Sequence, residues 1–472
     1  MVGPAFGAGI YEKCYIASET DYGVADLAYP VGTDAVCVDE VSVTIQTDPF
    51  MRSDKKGTPA TRYGGENKFN GTVSLIKDIL PSGTPATDPD DIALFTSGGW
   101  KRTVSASGTV EAGSTATVIN EAGHSFTAGQ FVVVAMPSEN QAFQMRRIAS
   151  VNAGTDYTLS PALTAAPATG AAVTAVILLD INLTRDADQD SVTLHAVGNV
   201  QSTRAVGVAP SKFTFELTNE GAAKMTVEAI LAAARPFIRT ALNGSLAQAA
   251  TSATIHNAAA TGTVAKVKPT AADPYYVSIE DEVITITDGG GTTGLTVTRG
   301  ALSTSDVLHA DGTAILPYAP TQTVAGAPVP PVGGELFVGG TALKANTASL
   351  EATMGVSQTI AHFGDQWVGN GYKFELNGLL PIATLEASRD AGGATLSEGS
   401  LYFWAETMQA RTAVEVFCYQ GVTAGSLFGF RLPAARMATS ELSGAEDEEA
   451  ISMVWTGHTD GSNTTPVQLL IG

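Results

Sequence analysis

The chain has 472 residues, a net charge of −21, and only 15% charged side chains against 44% apolar ones. That length suggests two to four domains, and so few charges imply that much of the surface is covered by other copies of the chain. The acidic balance, with no stripe of Lys and Arg, excludes a surface that grips nucleic acid by neutralising its phosphates.

Residues 1–37 read as irregular and extended, and MVGPAFGAGIYEK lacks the basic and apolar regions of a signal peptide. No run of 18 apolar residues predicts a membrane helix. Cys14, Cys37 and Cys418 are odd in number and form no C-x-x-C pair, so buried free thiols are expected. Residues 38–46 alternate, with Val41, Val43 and Ile45 on one face of a strand. A long polar loop, 47–66, follows and carries a basic island of Arg52, Lys55, Lys56 and Arg62, which suits an acidic neighbour or plain solvent. A strand over 68–79 comes next. Pro89 to Phe95 reads as a short helix capped by Asp88 and ended by Gly98 and Gly99.

Residues 104–179 are rich in Ala, Thr and Gly, with short strands at turn-punctuated spacing, which predicts a small β-domain inserted into the first unit. The parent unit, 1–103, resumes over 180–238. Asp186, Asp188 and Asp190 open like a calcium loop, but Ser191 and Val197 stand where glycine and glutamate belong, and a solvated loop is the simpler reading. A second small β-domain spans 239–320. Its LTVTRGALSTSDVLHADGTAI resembles YTLSPALTAAPATGAAV of the first insert. A Pro/Gly linker opens the second large unit, 321–472. That unit is predicted to hold a helix near 398–408 and an acidic loop with Glu441, Glu446, Asp447, Glu448 and Glu449. The loop reads equally as a cation site, a lumen face or a solvated turn.

Phe213, Phe215 and Leu217 form F-x-F-x-L, followed after four residues by A-A-K-M. Phe428, Phe430 and Leu432 repeat it, followed after one residue by A-A-R-M. Val192–Gly198 precedes the first copy as Val414–Gly421 precedes the second, and Gly65–Gly71 parallels Gly371–Gly378. The order predicts one structural unit present twice, with the two motif strands in equivalent places. The six histidines form no H-x-x-x-H pair, and there is no G-x-S-x-G elbow or P-loop. No catalytic residue, cofactor or metal is expected.

Glu19 to Gly23 (E-T-x-Y-G), Lys68 to Gly71 (K-F-N-G), Asp90 to Phe95 (D-D-I-A-L-F), Leu295 to Gly300 (L-T-V-T-R-G) and His309 to Gly312 (H-A-D-G) together carry a family likeness. The chain resembles the tail tube (major tail) proteins of long-tailed, non-contractile bacteriophages, here in a duplicated form. The resemblance implies an all-β fold of two tandem tail-tube β-sandwich or half-barrel domains, each with a short helix, plus two small β inserts outside the tube. It implies a homo-oligomer of three copies per pseudo-hexameric ring, with rings stacked helically and loop 47–66 reaching the next ring; the unequal spacers, four residues against one, predict that the ring is only approximately six-fold. It also implies a place in the virion tail after synthesis in the host cytoplasm. The implied partners are a tape measure protein, a tail terminator and distal tail proteins, with genomic DNA passing unbound through an acidic lumen and no membrane involved. The competing expectation is a virion decoration or adhesin protein that binds a host-surface glycan. Trp100, Trp367, Trp404 and Trp455 lie in the large units rather than the inserts, which argues against it.

Overall fold

The structure, a computed structural model, describes residues 12–23, 28–52, 62–139, 141–181, 191–258, 269–343, 345–358, 372–388, 413–443, 450–459 and 465–472. Lys55, Lys56, Asp186, Asp188, Asp190, Trp367, Trp404, Glu446, Asp447, Glu448, Glu449 and the helix expected at 398–408 lie outside these residues. The protein is all-β, with sheets curled as half-barrels.

The first large unit begins with β1 (Lys13–Ser18), β2 (Ala35–Val36), β3 (Glu40–Arg52), β4 (Arg62–Asp78), α1 (Ile92–Ser97) and β5 (Trp100–Val104). The first insert follows as β6 (Gly108–Thr109), β7 (Val118–Asn120), β8 (Phe131–Ala135), β9 (Phe143–Asn152), β10 (Asp156–Ser160) and β11 (Ala172–Ala175). The unit resumes with β12 (Ile177–Ile181), β13 (Val192–Val197), β14 (Gln201–Thr218), β15 (Lys224–Ile230) and β16 (Ala233–Ile238). The second insert is β17 (Thr240–Ala241), β18 (Ser252–Thr254), β19 (Tyr275–Ile279), β20 (Glu282–Asp288), β21 (Gly294–Ala301) and β22 (Ala314–Pro317). The second large unit is β23 (Gly334–Val338), β24 (Thr341–Leu343), β25 (Ala345–Gln358), β26 (Tyr372–Ser388), β27 (Val414–Gln420), β28 (Phe428–Ser443), β29 (Ala450–Gly457) and β30 (Gln468–Ile471).

The pairings of the first unit recur in the second. β1 pairs with β2 and β13, β13 with β14, β14 with β15 and β16, and β15 with β4, which pairs with β3. Likewise β23 pairs with β24 and β27, β27 with β28, β28 with β29 and β30, and β29 with β26, which pairs with β25. The register agrees residue by residue. Arg204 lies opposite His195 as Arg431 lies opposite Phe417, and Pro210 opposite Ala229 as Met437 opposite Trp455. The offset is 227 both times (431 minus 204, 437 minus 210), and the ladder slips by a residue just beyond Pro210 and just beyond Met437. In β14 the change of sheet falls at Gly207, whose φ of +63° and approach to Ala232 admit no ordinary side chain.

This register corrects the motif alignment. Phe428, Phe430 and Leu432 correspond to Gln201, Thr203 and Ala205, whereas Phe213 and Phe215 correspond to Ser440 and Leu442. Met225 opens β15, but Met437 lies within β28, so the tails are not equivalent either. Both F-x-F-x-L segments line one core, and alternation along a half-buried strand writes the same pattern wherever such a strand faces it. Far from being equivalent, Phe215 and Phe428 touch, with ring centroids 5.3 Å apart. The difference in spacer length therefore says nothing about symmetry.

Three further expectations change. Residues 47–52 and 62–66 are strand rather than loop, with Arg52 opposite Arg62 at the end of the ladder. Asp88 does not cap α1: its carboxylate accepts from Arg102, and Asp91 stands at the N-cap. Cys37 is exposed, while Cys14 and Cys418 are buried, burial pushing the Cys14 thiol up to about 12.

The inserts share one strand order, β6-β11-β8-β9-β10-β7 and β17-β22-β19-β20-β21-β18. Each docks on the unit it does not interrupt, or has just left. Phe131, Val133 and Met145 of the first insert pack on Phe337, Phe417, Tyr419 and Leu470 of the second unit. There Arg146, 1% exposed in its side chain, donates to Glu335 at 2.6 Å, and the Tyr419 hydroxyl donates to the same carboxylate oxygen. The second insert docks on the first unit, where Asp273 accepts from Arg204 and, at 2.5 Å, pairs with Arg235. Arg431, over the Phe131 ring at 5.8 Å, is the counterpart of Arg204.

Candidate functional site: an open eight-stranded sheet

Two four-stranded sheets, β3-β4-β15-β14 and β25-β26-β29-β28, are equivalent in the two units. They are joined edge to edge by β14 and β25, where Lys212 to Thr218 pair antiparallel with Thr353 to Thr347. The joint makes one continuous eight-stranded sheet. Its inward face carries Val73, Leu75, Phe213, Phe215, Leu217, Leu350, Met354, Leu385 and Trp455 of the main core. Period-two alternation then assigns the other face to the intervening residues.

That outer face is lined mostly by hydroxyls and charges, Ser42, Thr44, Thr72, Ser74, Thr214, Thr226, Ser349, Thr353 and Thr384 beside Glu40, Asp78, Glu216, Glu228 and Glu351, with Ile76, Ile230, Ile382 and Val454 set among them. None of these residues is buried, so nothing in the described chain covers the face. Lys212 and Lys224 of this face are already occupied. Lys212 meets Glu351 at 2.9 Å and Glu228 at 4.0 Å, and Lys224 meets Asp39 at 2.7 Å and Asp78 at 3.9 Å. Carboxylate neighbours raise the pKa of both lysines, the hydrogen bonds they donate to Glu351 and Asp39 contributing most. A polyanion moving along this face finds mainly hydroxyls and carboxylates, with Lys212 and Lys224 neutralised in place and Arg436 exposed at the β28 end.

The sheet is staggered. On the shared register Val41 corresponds to Ala348 and Glu40 to Thr347 (348 minus 41 and 347 minus 40 are both 307). A row taken straight across from Glu40 runs through Ile76, Thr226 and Thr214 to Glu351 rather than Thr347. Four strands thus shift the register by four residues (351 minus 347). Stagger equal to strand number is the geometry of an eight-stranded barrel of shear eight, whose strands tilt by about 36°.

Both outer edges are open. Among the described residues, β3 pairs with β4 alone, and β28 beyond Met437 pairs with β29 alone. β3 is 13 residues long; Pro49, Arg52 and the ladder slips guard its far part, while Glu40 to Gln46 pair regularly and contain no proline, lysine or arginine. Strand direction also separates the charges the sequence singled out. The β3–β4 hairpin ends at Arg52 and Arg62, and Lys55 and Lys56 lie in sequence between them. The opposite end of the same sheet holds Asp39, Glu40, Glu216, Glu220, Glu441 and the β28–β29 connection that starts after Ser443.

A cavity of about 330 Å³ sits at the joint, lined by Leu217, Asn219, Glu335, Asn346, Tyr419 and Gln420 among others. Tyr419 is its one aromatic side chain, and its hydroxyl is held by Glu335. The cavity therefore offers no stacking platform of the kind a glycan site uses. Glu19 of the E-T-x-Y-G segment is buried and accepts from Thr193 at 2.7 Å and from the Gly207 and Gly23 amides, both at 2.9 Å. Its task is to fasten β1 to the bend in β14.

The second insert contains a His–carboxylate cluster that the sequence did not reveal. Glu282 accepts from Arg299 at 2.5 and 2.7 Å, from the Gly300 amide, and from His309 at 2.7 Å, while His309 also meets Glu280 at 2.9 Å. Burial alone would raise the Glu282 pKa, but these hydrogen bonds, Arg299 first, outweigh it and bring the group down to about 2. His309 and Glu282 are both fully buried and line neither the joint cavity nor its neighbour beside Arg204, so the cluster is a fastener of the 300–309 loop. A carboxylate depressed from 4.5 to about 2 contributes stability above its unfolded value and loses it as pH falls from 4.5 to 2. Glu282→Gln is therefore expected to destabilise the second insert by about 3 kcal/mol at pH 6, with the gap to the parent closing towards pH 2. Urea unfolding across that pH range measures it.

Compared with known proteins, the chain matches no family model and no curated protein.

Proposed function

We propose that this protein is the duplicated-domain tail tube protein of a long-tailed bacteriophage, and that three copies close into a ring. The observation that carries the reading is the eight-stranded sheet: two equivalent sheets already joined edge to edge, staggered as a closed barrel requires, with both outer edges unpaired among the described residues. Three copies of eight strands give 24. At about 4.8 Å between strands and a tilt near 36°, the barrel measures roughly 45 Å across at the backbone, wide enough for a DNA duplex.

The hydroxyl- and carboxylate-lined face turns to the lumen in this arrangement, and genomic DNA slides past without counter-charges to hold it. The inserts, docked on the opposite sheets, decorate the outside. Hairpin ends bearing Arg52 and Arg62 meet the acidic ends of the next ring, which stacks rings head to tail. The tape measure protein inside and the terminator and distal tail proteins at the two ends are the remaining partners of the proposal. Electron microscopy of the purified chain at high concentration, and of particles containing it, tests the reading. Rings with three copies and near-six-fold outline support it; copies that stay single in the presence of their natural partners overturn it.

A further inference from the structure

We infer that the joint between copies repeats the joint within the chain, residue for residue, so that β28 of one copy pairs antiparallel with β3 of a second copy. The inference rests on the ring reading above and adds the register and the relative strength of the contact. Within the chain, Lys212 lies opposite Thr353, Thr214 opposite Glu351 and Glu216 opposite Ser349. Carrying β14 forward by 227 and β25 back by 307 sets Thr439 opposite Gln46 (212 plus 227, 353 minus 307). By the same step Glu441 stands opposite Thr44 and Ser443 opposite Ser42. Antiparallel edge addition supplies the main-chain hydrogen bonds both strands lack. Because the two surfaces are different, the contact is head-to-tail and either closes into a ring or runs on as a filament. A stagger equal to that of closed barrels is what favours the ring.

The two joints are not equally strong. Beneath the internal joint lie Phe213 and Phe215, and across it runs the Lys212–Glu351 ion pair. At the corresponding positions the joint between copies has Ser440 and Leu442, and Thr439 and Thr44. It therefore lacks both the aromatic pair and the ion pair, and is the reversible seam at which rings open and close. The single chain, with its stronger internal joint, is the unit that assembles.

The test is a disulfide scan in the full chain with the exposed Cys37 replaced by serine. Thr44→Cys with Glu441→Cys is expected to give covalent dimers and trimers on mild oxidation, with at least tenfold more product than Glu40→Cys with Glu441→Cys, whose positions are four residues out of step. Equal or inverted yields overturn the register. Rings seen by microscopy with no cross-link from the first pair sink the register and leave the ring reading intact. No association at all sinks both. As a second variant, Val43→Pro removes an N–H that faces the open edge, since Thr44 and Thr72 form the bonded pair of the β3–β4 ladder, and it is expected to leave the chain folded by circular dichroism and to abolish rings. Rings that persist in it contradict the pairing.

Discussion

Phe215→Ala is expected to destabilise the folded chain by about 3–5 kcal/mol. Phe215 is fully buried on β14, directly at the joint, opposite Leu350 of the second unit. Its ring stacks on Phe213 at 6.0 Å and Phe95 at 6.2 Å and meets Phe428 at 5.3 Å. One side chain thus ties α1, the two halves of the joined sheet and the start of β28 into one core. Removing it leaves a cavity that strands fixed on both sides by ladders cannot collapse into. Chemical denaturation followed by tryptophan fluorescence measures the loss, since Trp100 and Trp455 lie in this core. Phe215→Leu keeps most of the volume and is expected to lose far less. An alanine variant within 1 kcal/mol of the parent would mean that the joint does not depend on this cluster.

Asp91→Ala is expected to cost a similar amount, about 3–5 kcal/mol, by a different route. Lys77 sits at an inward position of β4, where the alternation of Val73 and Leu75 calls for an apolar residue, and its side chain is 3% exposed. Its ammonium meets Asp91 at 2.5 Å, a carboxylate 5% exposed at the N-cap of α1. Removing Asp91 leaves a buried, unpaired charge, which is what makes the single substitution severe. The decisive comparison is Lys77→Met with Asp91→Ala. The double variant is expected to recover most of the stability, because a buried pair replaced by apolar residues is often nearly neutral. A double variant as unstable as the single one would show that Asp91 acts through the helix alone.

The strands were legible where one face is apolar: Val41, Val43 and Ile45 announce β3, and the alternation of Tyr275 to Ile286 announces the second insert's central hairpin. The recurrence of a unit was legible in the order of elements. Its register was not, because Phe428, Phe430 and Leu432 repeat a pattern that any core-facing strand writes, and the nearest match in letters is twelve residues out of step with the match in space (227 minus 215). The A-L-[ST] step hinted at related inserts, but their common strand order emerges only from the pairings. What escaped the sequence is long-range. Arg146 reaches Glu335 across 189 positions, and Glu282 gathers Arg299 from β21 and His309 from the loop beyond it. Nothing in the local pattern marks such partners. The open site was hidden for the same reason: an edge is defined by a neighbour that is missing, and a stagger by comparing two ladders.

Electron cryo-microscopy of the assembled protein is expected to show closed rings of three copies whose wall is a single 24-stranded barrel, exact three-fold and approximate six-fold symmetry, and β28 of each copy against β3 of the next. An assembly whose wall leaves β3 and β28 unpaired, or one in which the hydroxyl- and carboxylate-lined face points outward, would contradict that arrangement.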